Sequence, residues 1–314
     1  MRVLFAGTPA TALPVLESVA RDHDLVAVLT RPPAAQGRKA VLVASPVEQW
    51  ARDAGVEVLA PASTKEPGLA AQLRELEVDA CPVVAYGGLL TQELLDIPRL
   101  GWLNLHYSLL PAYRGAAPVQ QALLDGCVVT GITVFRIVKA LDAGPIYVQH
   151  RVDIGKEETA GELLERLSLL GVDAMAEALD KANRGVQGVE QLCQGVSLAP
   201  KIEVEDARLD LSLSAERVIL RVRAMSPDPG AWVMMGDQRI KVLRARMVSD
   251  EDQQARSVLT SSESQPGSLV PAKKALYCRT RDRWIELVQV HPQGKKPMAG
   301  ADWGRGLGVG ARLG

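Results

Sequence analysis

Short apolar runs alternate with amphipathic ones through the first half of the chain. Residues 2–6 are apolar and brief, and Gly7-Thr8-Pro9 then turns into a helix on which Leu13, Leu16, Val19 and Ala20 share one face. Further strand-like runs fall at 25–30, 56–59, 82–86, 102–106 and 130–138, with helical stretches at 47–54, 69–76 and 162–182. Pro82 is admissible in its strand only as the opening residue, because proline has no N–H for the ladder. Residues 31–45, rich in Pro, Ala and Gly, read as an irregular loop. Strands separated by helices predict parallel βαβ units with right-handed crossovers, hence an α/β domain.

The rhythm then changes. Residues 184–198 carry Gly, Gln and Val without clear periodicity and read as a linker. Beyond it, residues 215–225 are helical, and 231–235, 238–246, 267–269, 276–279 and 284–290 are short strands with polar breaks. Short strands without intervening helices predict a small barrel or sandwich. Residues 249–266, polar and rich in Ser, Gln and Glu, read as a long surface loop or disordered insert. The expected division is 1–186, a connecting 187–203, and 204–314.

Composition narrows the class. At 314 residues there is room for two cores, and the near-neutral charge of −1 hides an asymmetry of −6 over residues 1–200 and +5 over 201–314. A basic final third points to a polyanionic partner, although an ordinary solvated surface explains the charge equally well. No apolar stretch reaches the ~18 residues of a membrane span. Cys81, Cys127, Cys193 and Cys278 form no Cys-x-x-Cys pair, which argues against a disulfide framework or a metal site and fits a reducing cytoplasm. No G-x-G-x-x-G or Walker motif is present, so Gly7-Thr8-Pro9 is not a dinucleotide turn.

Candidate chemistry concentrates in Asn104-Leu105-His106 and in Leu141-Asp142-Ala143-Gly144, each following a strand-like run. In a parallel sheet such segments end at one edge, where ligands bind. His106 can donate to an oxyanion developing on a carbonyl; a buried ring satisfied by backbone groups is the plainer use. Asn104 can donate its amide to the same oxygen, or simply close an Asx turn. Asp142 can orient the imidazole or take a proton through water, and it also suits a turn before Ala143-Gly144. Together the two segments spell acyl transfer. Tyr86-Gly87-Gly88, after the strand at 82–86, would let backbone approach a planar ligand closely.

These residues also carry a resemblance. Phe5-Ala6-Gly7-Thr8-Pro9, Ser45-Pro46-Val47, Val84-Ala85-Tyr86-Gly87, Asn104-Leu105-His106, Ser108-Leu109-Leu110-Pro111, Tyr113-Arg114-Gly115-Ala116-Ala117-Pro118 and Leu141-Asp142-Ala143-Gly144 resemble the methionyl-tRNA formyltransferases over essentially the whole length. The Asn/His/Asp part is common to 10-formyltetrahydrofolate transferases. Arg114 to Pro118, with Arg208-Leu209-Asp210 and Gly294-Lys295-Lys296 in the second domain, narrow it to the tRNA-directed member.

The resemblance implies a Rossmann-like formyltransferase domain with a mostly parallel sheet, followed by a small OB-like β-barrel. It implies formyl transfer from 10-formyltetrahydrofolate, as co-substrate and without a metal, to the α-amine of methionyl initiator tRNA, by a monomer in the cytoplasm. Asn104 and His106 would bind and polarise the formyl carbonyl, and Asp142 would assist deprotonation of the attacking amine. Val84, Ala85, Tyr86 and Gly87, with Ser108, Leu109, Leu110 and Pro111, would line the folate pocket. Arg31, Arg38 and Lys39 on the first long loop, and Lys295 and Lys296 in the second domain, would meet tRNA. Two departures stand out: Tyr107 replaces a usual Gly, and the first loop is poor in cations, which would flatten the salt dependence of tRNA binding. The alternative is a related formyltransferase or hydrolase acting on a small molecule with the same catalytic core.

Overall fold

The computed structural model describes every residue except 37–40, 250–254, 257–258, 260–263 and 309. It divides into two compact units, one comprising Met1–Pro118, Val129–Asp153 and Leu164–Pro200, the other Val119–Val128, Ile154–Leu163 and Lys201–Gly314.

The first unit is built on β1 (Arg2–Gly7), α1 (Leu13–Asp22), β2 (Asp24–Leu29), β3 (Ala34–Gln36), β4 (Val41–Val43), α2 (Pro46–Asp53), β5 (Glu57–Leu59), α3 (Leu69–Glu75), β6 (Cys81–Val84), α4 (Gln92–Leu95), β7 (Trp102–His106) and β8 (Arg114–Gly115). After α5 (Pro118–Leu124), which from Val119 onward belongs to the second unit, come β9 (Val129–Arg136), β10 (Ile146–Asp153), the long α6 (Ala160–Asn183), of the first unit from Leu164, and β11 (Leu198–Ala199). The sheet order is β10-β9-β7-β6-β1-β2-β5. Its strands from β5 to β7 are parallel, and both faces are covered, which is why they read as unbroken apolar runs. Leu4 and Ala6 of β1 share one core with Ala27, Leu29, Leu73, Val83 and Trp102. α6 buries Leu167, Ala174, Met175 and Ala178; Gly171 lets it approach so closely that a Cβ there would lie 2.3 Å from a Leu105 methyl. α2 is capped by Ser45, whose hydroxyl accepts from the Glu48 N–H at 3.0 Å, with Pro46 in the first turn.

Four features depart from expectation. β9 runs antiparallel to β7, with Asn104 opposite Phe135 and His106 opposite Thr133, so its carboxyl end lies at the far edge of the sheet. β10, paired antiparallel with β9, was not legible because its exposed Gln149, His150 and Arg151 interrupt any apolar period. The loop at 31–45 contains a hairpin, Ala34 opposite Val43 and Gln36 opposite Val41. Pro82 is the second residue of β6. Its missing donor falls on the β1 side, between the Val3–Ala80 bridge and the Ala6–Val83 pair.

The second unit holds α7 (Ala215–Met225), β12 (Ala231–Met235), β13 (Gln238–Met247), β14 (Leu269–Pro271), β15 (Leu276–Arg279), β16 (Trp284–Pro292), β17 (Met298–Ala299) and α8 (Gly300–Gly304). The sheet order is β12-β13-β16-β15-β14, antiparallel throughout, with β17 on β16. The last residues link its two edges: Leu269 N–H donates to Ala311 O at 3.0 Å and Gly314 N–H to Met234 O at 2.9 Å. Edge groups that would template other chains are thereby paired. Most of the polar stretch 249–266 lies outside the described residues.

Candidate active site

Asn104 and His106 are two residues apart on β7, so they project from one face of the strand while Leu103 and Leu105 take the other. His106 is buried and packs edge-on against Phe135, ring centroids 6.3 Å apart. Its Nε2 is 2.8 Å from the backbone oxygen of Tyr113. That carbonyl can only accept, so the neutral ring carries its proton on Nε2 and leaves a lone pair on Nδ1. Nδ1 lies 3.9 Å from Asp142 Oδ2. Burial lowers the imidazole's pKa, while Asp142 and the Tyr113 carbonyl oppose the shift. The ring is therefore neutral near pH 7 but sits beside a carboxylate that stabilises its cation.

Asp142 reaches this position by an unexpected route. The connection between β9 and β10 starts at the far edge of the sheet, then returns until the Asp142 carboxylate accepts the Gly115 N–H at 2.7 Å. The expectation that both segments end at one edge of a parallel sheet is thus corrected, although the side chains still meet. Backbone strain marks the place. Asp142 (φ 45°), Tyr113 (φ 60°) and Ala85 (φ 48°) are three of the four described non-glycine residues with positive φ. Such conformations persist only where surrounding structure holds them.

The residues expected to line a pocket occupy loops at the carboxyl ends of β6 and β7. Val84 is buried and Ala85 exposed, while Tyr86 is buried with its hydroxyl lacking a partner among the described residues. Burial raises the Tyr86 phenol's pKa, and Arg31 pulls it down. The Thr8 hydroxyl donates to Tyr86 O at 2.9 Å, joining the loops after β1 and β6 where the strand order switches. Ser108 is buried, its hydroxyl donating to Ala112 O at 2.6 Å. The Thr133 hydroxyl donates to Ser108 O at 2.6 Å and accepts from the Leu110 N–H at 3.2 Å and Gln149 Nε2 at 3.0 Å. Leu109 and Pro111 are half-buried on the same loop. The Asn104 carboxamide has no protein partner among the described residues and is half-buried. Tyr107 points elsewhere, its hydroxyl 3.1 Å from Ser168 Oγ on α6.

Arg38 and Lys39 lie outside the described residues. Lys295 and Lys296 are exposed between β16 and β17 of the second unit. Sequence reasoning passed over Thr133, Gln149, the Tyr113 carbonyl, the Gly115 amide, Gln191 and Ser197. Only Gly115, with φ 122° and no room for a Cβ against Ala199 O, left a signal in the sequence. Among the described residues no group of three or more His, Cys, Asp or Glu is arranged to hold a metal, and no helix is long and apolar enough to cross a membrane.

Two family profiles match: Formyl transferase over residues 1–179, and Formyl transferase, C-terminal domain, over residues 201–308. A methionyl-tRNA formyltransferase of a Nocardioides species is 48% identical over 318 residues, covering 100% of this chain and 98% of its own. Two solved structures share the fold. HypX from Aquifex aeolicus in complex with tetrahydrofolic acid superposes with a TM-score of 0.67 at 17% identity, over 96% of this chain and 46% of HypX. This chain thus spans about half of that protein. The methionyl-tRNA formyltransferase from Clostridium thermocellum gives a TM-score of 0.59 at 14% identity, over 80% of this chain and 95% of its own. By its two matched domains and its end-to-end identity to such relatives, the chain belongs to the formyl transferase family, among the methionyl-tRNA formyltransferases.

Proposed function

We propose that this chain moves the formyl group of 10-formyltetrahydrofolate onto the α-amine of methionine carried by initiator tRNA. The first unit does the chemistry and the second contributes tRNA contacts. The observation that carries the reading is the 3.9 Å gap between His106 Nδ1 and Asp142 Oδ2, at the strand that also carries Asn104. A lone pair and an acid thereby meet, with an amide donor two residues away on the same strand as the ring.

The loops fit a formyl-folate. The buried Tyr86 hydroxyl offers a hydrogen bond that no group among the described residues takes up. Gly87 and Gly88 let backbone approach a flat ring, and the residues from Ser108 to Pro111 supply a wall braced by Thr133.

In the reaction the neutral amine attacks the formyl carbon and a C–N bond forms. The carbonyl electrons move to oxygen, where the Asn104 amide donates to the oxyanion. The proton lost by the amine passes to the His106–Asp142 pair. Protonated on Nδ1, His106 becomes a cation held by Asp142 and donates in turn. Collapse breaks the bond to folate N10, which takes up one proton, so charge balances. Most of the acceleration then comes from aligning two bound substrates. Arg31, Arg38, Lys39, Lys295 and Lys296 are the cations we assign to the tRNA backbone, on a monomer acting in the cytoplasm.

The test compares formylation of initiator methionyl-tRNA, elongator methionyl-tRNA and small amines, with 10-formyltetrahydrofolate as donor. Strong preference for the initiator is expected. Equal or better use of a small amine, or hydrolysis of the donor without an acceptor, would overturn the reading.

A further inference from the structure

Residues 188–199, between α6 and the end of β11, look like a simple connection. Their large apolar side chains face outward, Val189 73%, Leu192 74% and Leu198 65% exposed, and only the small Ala199 is buried. Hydrophobic burial therefore contributes little to holding this segment in place. Its polar groups turn inward instead, toward the two strained turns that carry the candidate catalytic pair.

Gln191 sits at the centre. Its Nε2 donates to Asp142 O at 2.8 Å and Gly144 O at 2.9 Å, while its Oε1 accepts from Arg114 Nη2 at 2.6 Å. One carboxamide thus ties the Asp142 turn to the turn that follows His106's carbonyl partner. Ser197 repeats the pattern on the other side: its hydroxyl accepts from Tyr113 N–H at 2.8 Å, and its carbonyl accepts from Arg114 N–H at 2.9 Å. Val189 exchanges two backbone hydrogen bonds with Ile146, and β11 pairs with β8. Tyr113 O is the acceptor for His106 Nε2, and Gly115 N–H is the donor to Asp142 Oδ2. The Tyr113 carbonyl that holds the ring and the Gly115 N–H that holds the acid thus both belong to residues that this strap touches. Tyr113 and Asp142, both at positive φ, would relax toward ordinary backbone if the strap let go.

We infer that Gln191, seconded by Ser197, is a positioning residue that sets the separation and facing of His106 and Asp142. The segment between the two family domains is thus part of the catalytic architecture. This rests on the reading of His106 and Asp142 given above, and it acts only through them. Glutamine suits the task because it donates two hydrogen bonds and accepts one on a single neutral head group. Glutamate would place oxygen against the Asp142 and Gly144 carbonyls, and leucine would fill the volume with no hydrogen bonds.

The experiment uses Q191L, Q191E and S197A in the full-length chain. For each, kcat and KM are measured for formyl-folate and charged tRNA, and the His106 ring is titrated by NMR. We expect kcat to fall 10- to 100-fold in Q191L and Q191E with both KM values within about threefold. His106 should titrate at lower pH, because burial remains while Asp142 withdraws. S197A should show the same signs at smaller size, and S197T should restore the wild-type values. In an H106A background, Q191L should cost no further activity. Wild-type kcat in both Gln191 variants, an unmoved His106 titration, or an equal Q191L loss in H106A would each overturn the inference. Should a Gln191 variant fail to fold, S197A and its titration decide. Should the wild-type chain not formylate tRNA, the functional reading fails, yet the His106 titration still tests the strap.

Discussion

Replacing Asp142 by Asn probes the pair most sharply, because asparagine keeps the shape and removes the charge. The Gly115 N–H that now donates to Asp142 Oδ2 at 2.7 Å retains an acceptor, so the turn should stand. What is lost is attraction between carboxylate and imidazolium. At 3.9 Å, with an effective dielectric of about 20 for a partly exposed pair, Coulomb's law gives about 4 kcal/mol. That energy acts only while the ring is charged, which on the proposed path is after the amine has attacked. It therefore lowers kcat and kcat/KM together, by roughly 10³-fold. The assay is steady-state formylation at saturating initiator methionyl-tRNA, with donor affinity and melting temperature measured on the same preparation. We expect the rate to collapse while both controls stay near wild type. The His106 titration should also move to lower pH, since Asp142 is the larger of the two influences that oppose burial. A loss below tenfold, with the protein folded and the donor bound, would show that no charge develops on the ring.

Three further outcomes follow from the same geometry. T133V removes a hydroxyl that satisfies Ser108 O, Leu110 N–H and Gln149 Nε2, leaving at least two buried groups unpaired. It should cost about 3 kcal/mol in urea unfolding and weaken donor binding, and a change under about 0.5 kcal/mol would contradict that network. Because the folded His106 binds its proton less readily than an unfolded histidine, the unfolded state gains protons first as pH falls. His106 should therefore stabilise the fold above about pH 6.5 relative to its contribution at pH 5, and H106Q should show a flatter pH dependence of unfolding free energy. Native thiol labelling should reach exposed Cys193 first, while Cys278, pushed up to about 12 by burial, and buried Cys81 stay silent until unfolding.

How far the fold was legible depended on which interactions are local. β7 was readable to the residue, because Trp102–His106 is apolar, β-rich and bounded by Gly101. α7 was readable for the same kind of reason, with Ser214 capping it and Val218, Val222 and Met225 on one face. β10 was hidden because an edge strand with Gln149, His150 and Arg151 exposed has no apolar period. The direction of β9 was hidden because direction is a property of pairing, not of the strand's own residues. The site shows the same division. Asn104, His106 and Asp142 stand out by residue type and spacing. Gln191 and Ser197 do not, since an unperiodic Gln- and Gly-rich stretch looks alike whether it idles in solvent or grips two turns. Their role is visible only once residues 77 and 84 positions apart, Arg114 with Gln191 and Tyr113 with Ser197, are seen to touch.

The convergence of His106 and Asp142 on one reacting carbon is tested most directly by single-turnover formylation in the variants H106A and D142N and in the double variant, with both substrates bound beforehand. Residues that act as a unit do not add. The structure therefore leads us to expect a loss of at least a hundredfold in H106A, and a double variant no more than a few-fold slower than H106A alone. Losses that multiply, or an H106A enzyme that turns over near the wild-type rate, would contradict it.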